Sequence, residues 1–299
     1  MTHTRARRWL AAATAAIAVV SAAGCAYLDT KQREWIFRAQ RDIHSPPASY
    51  GLAFDEVWLT VAGDTDGARE RVHGWWIPGP DAQAPTLLYL HGARRNLSDN
   101  LFRIQRLHRL GFAVLAIDYR GFGRSDGELP SEAQAYDDAQ AAWQHLRLLE
   151  PDARRRFAYG HSLGGAVAIE LAIRNDDVAG LIVESTFTSM AQMAEKMGYG
   201  NLPLALVLTQ RFDSLAKVAA VKAPVLFVHG TSDRFVPAEM SERLYAAAPE
   251  PKRLLLIENG NHSNASSVAF EKYQTAVRDF LALVRDGPAR ARASAGRGG

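Results

Sequence analysis

The sequence predicts an α/β fold, an eight-stranded and mostly parallel sheet flanked by helices, and three observations predict it. Eight short apolar runs punctuate the chain between residues 54 and 257. From the third run onward, the intervening stretches are long enough to cross over as helices, which parallel pairing requires. The first two runs are joined only by Gly63-Asp64-Thr65-Asp66-Gly67, room for a turn and nothing more, so that pair is expected to be antiparallel. The composition agrees: 47% hydrophobic and 22% charged residues make an ordinary globular chain, which excludes collagen-like and largely disordered readings.

The expected strands, in order, are Phe54 to Val61, Val72 to Ile77, Thr86 to Leu90, Phe112 to Ile117, Phe157 to Tyr159, Gly180 to Val183, Pro224 to Val228 and Arg253 to Ile257. After the third, Ser98 can cap a helix carrying Leu101, Ile104 and Leu107, which Gly111 ends. After the fourth, Ser131 with Gln134 forms a capping box before a stripe of Ala135, Ala139, Ala142, Leu146 and Leu149, and Pro151 stops that helix. Between the sixth and seventh strands, residues 186–223 depart from strict alternation. They hold Met190, Met193, Met197 and several leucines, broken by Gly198, Gly200 and Pro203, and are expected to form a small helical cap over the strand ends. A final helix carries Phe270, Tyr273, Val277, Phe280 and Leu281 at helical spacing. Residues 52–285 make the domain; residues 25–51 read as a linker or a short packed helix, and 286–299 as a disordered tail.

The formal charge of +3 raises the question of nucleic acid, and the location of the charges answers it. Arg5, Arg7 and Arg8 precede Gly24, and Arg285, Arg290, Arg292 and Arg297 follow Val284 with Asp286 the one acid among them. Of 35 basic and 32 acidic residues, the body therefore keeps 28 and 31 and is slightly acidic. No nucleic-acid partner is expected. The arginine cluster is followed by an uncharged run from Trp9 to Gly24, which as a helix would reach about 24 Å, short of a bilayer's hydrocarbon core of about 30 Å. Residues 1–24 thus read as an export signal. The single cysteine, Cys25, forbids an internal disulfide and a Cys-rich zinc cluster. Its setting, Ser21-Ala22-Ala23-Gly24-Cys25, resembles the lipobox of bacterial lipoproteins. That resemblance implies lipidation of Cys25 and a membrane-anchored protein of the cell envelope, on the outer membrane or facing the periplasm. A plain signal peptide cleaved near Ala22 or Ala23, releasing a soluble periplasmic or secreted form, and an uncleaved anchor are the alternatives.

The chemistry centres on Gly160-His161-Ser162-Leu163-Gly164. A bare Gly-x-Ser-x-Gly is a weak signal, but here a strand precedes it and a helix of small residues, Ala166 to Ala172, follows. That is the strand, elbow and helix that expose a serine hydroxyl at a helix N-terminus. A serine hydroxyl is a poor nucleophile until a base takes its proton and an acid orients the base. Asp233 directly follows the seventh strand and His262 the eighth, in the required order. Most of the other eight histidines have structural explanations; His91 and His229, each ending a strand before a glycine, are expected to shape turns. Glu184, ending the sixth strand, is the rival acid. Two backbone N–H donors are needed for the oxyanion: Leu163, after the nucleophile, and Ala93, in His91-Gly92-Ala93 after the third strand.

With these residues in view, the chain resembles an α/β-hydrolase of the serine aminopeptidase S33, monoacylglycerol-lipase-like and BEM46-like type. The resemblance rests on His91-Gly92-Ala93, Asp118-Tyr119-Arg120-Gly121-Phe122-Gly123-Arg124-Ser125, Gly160 to Gly165, Glu184-Ser185-Thr186-Phe187-Thr188-Ser189 and the Asp233 and His262 loops. It implies a serine hydrolase acting on a small acyl substrate with no cofactor and no metal. A carboxylic ester is the first expectation. A short-peptide peptidase and a catalytically silent envelope binding protein on the same fold are the alternatives.

Overall fold

The computed structural model describes residues 23–63 and 67–295. Eight strands form one sheet: β1 (Asp55–Ala62), β2 (Arg69–Ile77), β3 (Thr86–Leu90), β4 (Ala113–Ile117), β5 (Arg156–His161), β6 (Gly180–Glu184), β7 (Val225–Gly230) and β8 (Lys252–Ile257). Their spatial order is β8-β7-β6-β5-β3-β4-β2-β1. β1 and β2 pair antiparallel, as the short turn requires, and β2 is also antiparallel to β4. Every other pairing is parallel.

The alternation of side chains splits the core in two. Leu88, Leu90, Leu115 and Ile117 face one layer, with α2 (Glu132–Leu149) and α3 (Leu163–Arg174) packed on it. Leu87, Tyr89, Val114 and Ala116 face the other, against α1 (Leu101–Arg109) and α5 (Phe270–Ala295), with Tyr273, Val277 and Phe280 from the latter. The central strands are buried from end to end because helices cover both faces, which explains why they appear in the sequence as continuous apolar runs. α4 (Ala238–Ala247) packs beside β7 and β8.

The Ser131–Gln134 capping box forms in both directions. The cap before α1 differs from the expected one. Asn96 accepts the N–H of Ser98, and a 3-10 turn, Leu97–Asn100, precedes the helix; the buried Ser98 hydroxyl instead donates to Asn96 Oδ1 at 2.6 Å. Between β6 and β7, the cap consists of short helical pieces, Met190–Ala194, Leu204–Val207 and Ser214–Lys217. Where a tail was expected from residue 286, α5 continues to Ala295.

Of the two readings of the leading segment, a linker or a short packed helix, the structure has the helix. Residues 23–36 are helical, and Gln32 holds the cap by donating to the Val207 carbonyl and accepting from the Thr209 N–H. Phe37 is buried edge-on against Phe122 and Phe212. Arg38–Ala39 then pairs in parallel with Arg94–Arg95, a two-residue bridge beside the main sheet. No described helix is long and apolar enough to cross a membrane. The export signal expected over residues 1–24 lies, up to residue 22, outside the described residues; Cys25 is exposed near the start of the described helix.

Candidate active site

Ser162 occupies the turn between β5 and α3 with φ 56° and ψ −122°, a conformation that costs an L-residue energy and persists only when its surroundings enforce it. The glycines of the motif explain how they do. A Cβ on Gly160 would lie 2.1 Å from the Gly164 carbonyl oxygen, and one on Gly164 would lie 2.1 Å from that of Leu90. Only glycine lets the end of β3, the elbow and the start of α3 approach this closely. The elbow is held from behind by the Ser162 N–H donating to the Glu184 carbonyl at 2.9 Å and by Thr186 Oγ1 donating to the Ser162 carbonyl at 2.7 Å.

Three strand ends bring the expected residues together. Ser162 Oγ lies 3.1 Å from His262 Nε2, and His262 Nδ1 lies 2.7 Å from Asp233 Oδ2. The two loops carrying the imidazole and carboxylate are strapped to each other, since Gly230 has no room for a Cβ beside Gly260 and the Ser232 N–H donates to the Gly260 carbonyl. The Asp233 side chain is fully buried, and its second oxygen accepts the N–H groups of Phe235 and Val236 at 2.9 and 2.8 Å. Burial pushes this carboxyl up. Hydrogen bonds from His229 and His262, with the His262 charge and the Val236 N–H, outweigh that and hold it well below the usual carboxylate range. His229 is more than a turn residue: its Nε2 lies 3.3 Å from Asp233 Oδ2 and 2.9 Å from the Val236 carbonyl, with Ser241 at its Nδ1.

Glu184 is elsewhere. Fully buried, it accepts the Tyr159 hydroxyl at 2.7 Å and lies 3.9 Å from Arg103 Nε, with no bond to His262. Arg103, on α1 and itself buried, was not singled out from the sequence. Its Nη2 donates to the Ser263 carbonyl at 3.0 Å and lies 3.0 Å from His161 Nε2, whose own contact is the His262 carbonyl at 2.8 Å. Arg103 and His161 thus fix the backbone that carries His262. Burial first, and the neighbouring Arg103 cation next, push the His161 imidazole well below its ordinary range.

Ala93 and Leu163 line the same cavity as Ser162 and His262, and among the described residues neither N–H has a hydrogen-bond acceptor. Leu163 is the first residue of α3, where N–H groups have no partner within the helix. The Ala93 loop is set by a buried pair, His91 Nε2 to Asp118 Oδ1 at 3.3 Å, and by the Arg38 N–H donating to the Ala93 carbonyl at 2.9 Å. Asp118 is therefore a buttress, and Asp126 accepts the Arg71 backbone N–H at 2.8 Å. The cavity holds about 730 Å³. Its cap wall is Phe187, Met190, Met193 and Met197; Trp35 and Ile36 of the leading helix line it too.

Residues 82–213 match the family of serine aminopeptidase S33, a stretch that includes Ala93, Ser162 and Leu163 and stops before Asp233 and His262. An uncharacterized protein of Mycobacterium tuberculosis is 35% identical over 272 residues, covering 89% of this chain and 93% of its own. The protein bem46 of Schizosaccharomyces pombe is 35% identical over 175 residues, 56% of this chain and 58% of its own. Among solved structures, the Pyrococcus furiosus esterase Pf2001 superposes with a TM-score of 0.65 at 21% identity, covering 82% of this chain and 98% of the esterase, a likeness of fold. The alpha/beta hydrolase domain-containing protein WAV2 of Arabidopsis thaliana is 34% identical over 218 residues, 68% of this chain and 69% of its own; with the sheet order and the elbow in agreement, the chain belongs to the α/β-hydrolases.

Proposed function

We propose that this hydrolase is a serine esterase that works through an acyl-enzyme on Ser162. The observation that carries the reading is the unbroken line Asp233–His262–Ser162 at 2.7 and 3.1 Å, ending in a cavity lined by two N–H groups without acceptors. Ser162 Oγ attacks the acyl carbonyl and passes its proton to His262 Nε2, while Asp233 keeps Nδ1 protonated and the ring aligned. The carbonyl oxygen, now negative, is held by the Ala93 and Leu163 N–H groups, each donor of this kind being worth roughly 2.7 to 4 kcal/mol to the barrier. His262 gives the proton to the departing alkoxide. A water then gives its proton to His262 as it attacks the acyl-enzyme, and Ser162 leaves with that proton as the acid is released.

An ester fits the cavity better than a peptide with a free amino terminus. The cap wall is apolar, suited to an acyl chain, and the lining carries one carboxylate, Asp99, against four arginines, a poor setting for an ammonium group. The test is Ser162→Ala in the full chain, which is expected to fold normally and lose both ester turnover and labelling by a fluorophosphonate probe. Labelling that persists in the variant refutes the assignment. Hydrolysis of 4-nitrophenyl acyl esters of increasing length, set against aminoacyl amides, separates esterase from peptidase. Absence of any product burst with activated esters would favour a silent binding protein.

An exported, lipid-tethered form is part of the proposal. It is supported by the run from Trp9 to Gly24, by the small residues before Cys25 and by the exposure of Cys25 ahead of the domain. A Cys25→Ala variant is expected to leave the membrane fraction, and one that remains there argues against the lipid.

A further inference from the structure

Four arginines line the cavity, and one of them, Arg103, is matched by Glu184. The other three, Arg38, Arg94 and Arg95, cluster at its rim and are exposed. Arg38 and Arg94 are register partners across the two-residue bridge, so their side chains leave the ribbon on one side. Among the described residues, neither guanidinium has a carboxylate or hydrogen-bond partner; Arg95 reaches Asp99 Oδ1 at 3.4 Å. The rim therefore keeps unneutralised positive charge beside the loop that carries Ala93. Arg95 holds φ 67°, a left-handed conformation that a long side chain seldom adopts and that marks a locally enforced backbone. Burial, then the like charges of Arg38 and Arg95, push the Arg94 guanidinium down, a standing repulsion that an anion among the three would relieve.

The cluster also lies on a particular side of the reaction. The Arg94 guanidinium sits over the Phe235 ring at 5.3 Å, and that ring packs edge-on against His262 at 5.1 Å. His262 protonates the departing oxygen, so the alcohol half of an ester leaves on the His262 side, across Phe235 and toward Arg94. The acyl half then has the methionine wall of the cap.

We infer that the substrate is an ester of an apolar acyl chain whose alcohol half carries an anion, a phosphate or carboxylate, held by Arg38, Arg94 and Arg95. This rests on the esterase reading above. It also separates the roles of two walls of one cavity, the apolar one taking the acid released and the basic one taking the alcohol.

The test compares 4-nitrophenyl hexanoate with 3-carboxy-4-nitrophenyl hexanoate, which share an acyl chain and differ by one carboxylate on the leaving phenol. For the full chain at low salt, the ratio of kcat/KM, anionic over neutral, is expected to exceed about ten, and to fall about tenfold in Arg94→Gln and on raising salt to about 0.5 M. Arg38→Gln should lower it in the same direction. Hydrolysis of both esters with a ratio near one, or a ratio unchanged in both variants, overturns the inference and leaves the esterase standing. If neither ester is cleaved and the fluorophosphonate does not label Ser162, the esterase reading falls and this inference with it; labelling without cleavage of either ester overturns the inference alone. Sedimentation with phosphatidylglycerol vesicles distinguishes the remaining source of anions: Arg94→Gln weakening vesicle binding while the ratio stays fixed assigns the arginines to a membrane surface and overturns the substrate role.

Discussion

Replacing Arg103 by Met is expected to separate the stability of the fold from the alignment of its chemistry. The side chain is buried, with Nε 3.9 Å from Glu184 Oε1. At an effective dielectric constant of about 20, Coulomb's law gives an attraction of roughly 4 kcal/mol at that separation. Breaking a buried pair from one side strands the other charge, at a cost of about 3 to 5 kcal/mol. For a domain of this size each kcal/mol moves the melting point by about 2 to 4 °C, so Arg103→Met should melt roughly 6 to 20 °C lower. Changing Glu184 to Gln in the same chain removes the stranded charge while leaving an oxygen for the Tyr159 hydroxyl, and should restore most of that loss. Activity should not follow. The bond from Arg103 to the Ser263 carbonyl is missing in both variants, so kcat for a 4-nitrophenyl ester should stay down by about tenfold or more, as a displaced base would make it. Thermal melts by circular dichroism and steady-state kinetics on the single and double variants decide the matter. A double variant as unstable as the single one, or a double variant with full kcat, refutes the reasoning.

Two further outcomes follow from the same geometry. His161 stays neutral in the fold because burial and Arg103 depress its proton affinity, whereas the unfolded chain takes that proton near pH 6.5; stability from this group is complete above that pH and declines as pH falls below it. In urea titrations between about pH 6.5 and 5, His161→Gln should therefore show a shallower slope of stability against pH, by about 1 kcal/mol per unit on average, because the unfolded chain is only half protonated at the upper end, and equal slopes would contradict this. Phe37→Ala should cost about 3 to 5 kcal/mol in urea unfolding, the loss appropriate to an aromatic core residue, although its neighbourhood reads as a linker or a short packed helix; a loss below about 1 kcal/mol would mean that the leading segment is only laid on the surface.

The strands could be read from the sequence because helices cover both faces of the sheet, so residues 87–90 and 113–117 are apolar without interruption. Ser162, Asp233 and His262 were legible for a related reason: each stands just past a strand end in a loop that holds a glycine, where neighbouring strands of a parallel sheet bring side chains from distant parts of the chain together. The order along the chain favoured Asp233 over its rival Glu184, but both end strands, and it is the 2.7 Å contact with His262 Nδ1 that separates them. Arg103 escaped notice because an arginine on an amphipathic helix looks like solvent-facing charge, and its burial comes from Glu184 and the His262 loop, far away in the sequence. The partners of the leading segment escaped for the same cause. They are residues 94–95 and the cap around residue 209, and nothing local signals such pairings.

That segment also fixes a length. Ten residues of helix separate Cys25 from Trp35 in the cavity wall, a rise of about 15 Å. A lipid on Cys25 would make this helix a stand-off, holding the mouth a few turns above the headgroups and no higher, within reach of an ester that never leaves the bilayer. Adding one turn to the helix would lift the mouth by about 5.4 Å, so the span between thiol and tryptophan would act as a ruler for which membrane-resident molecules the serine can reach.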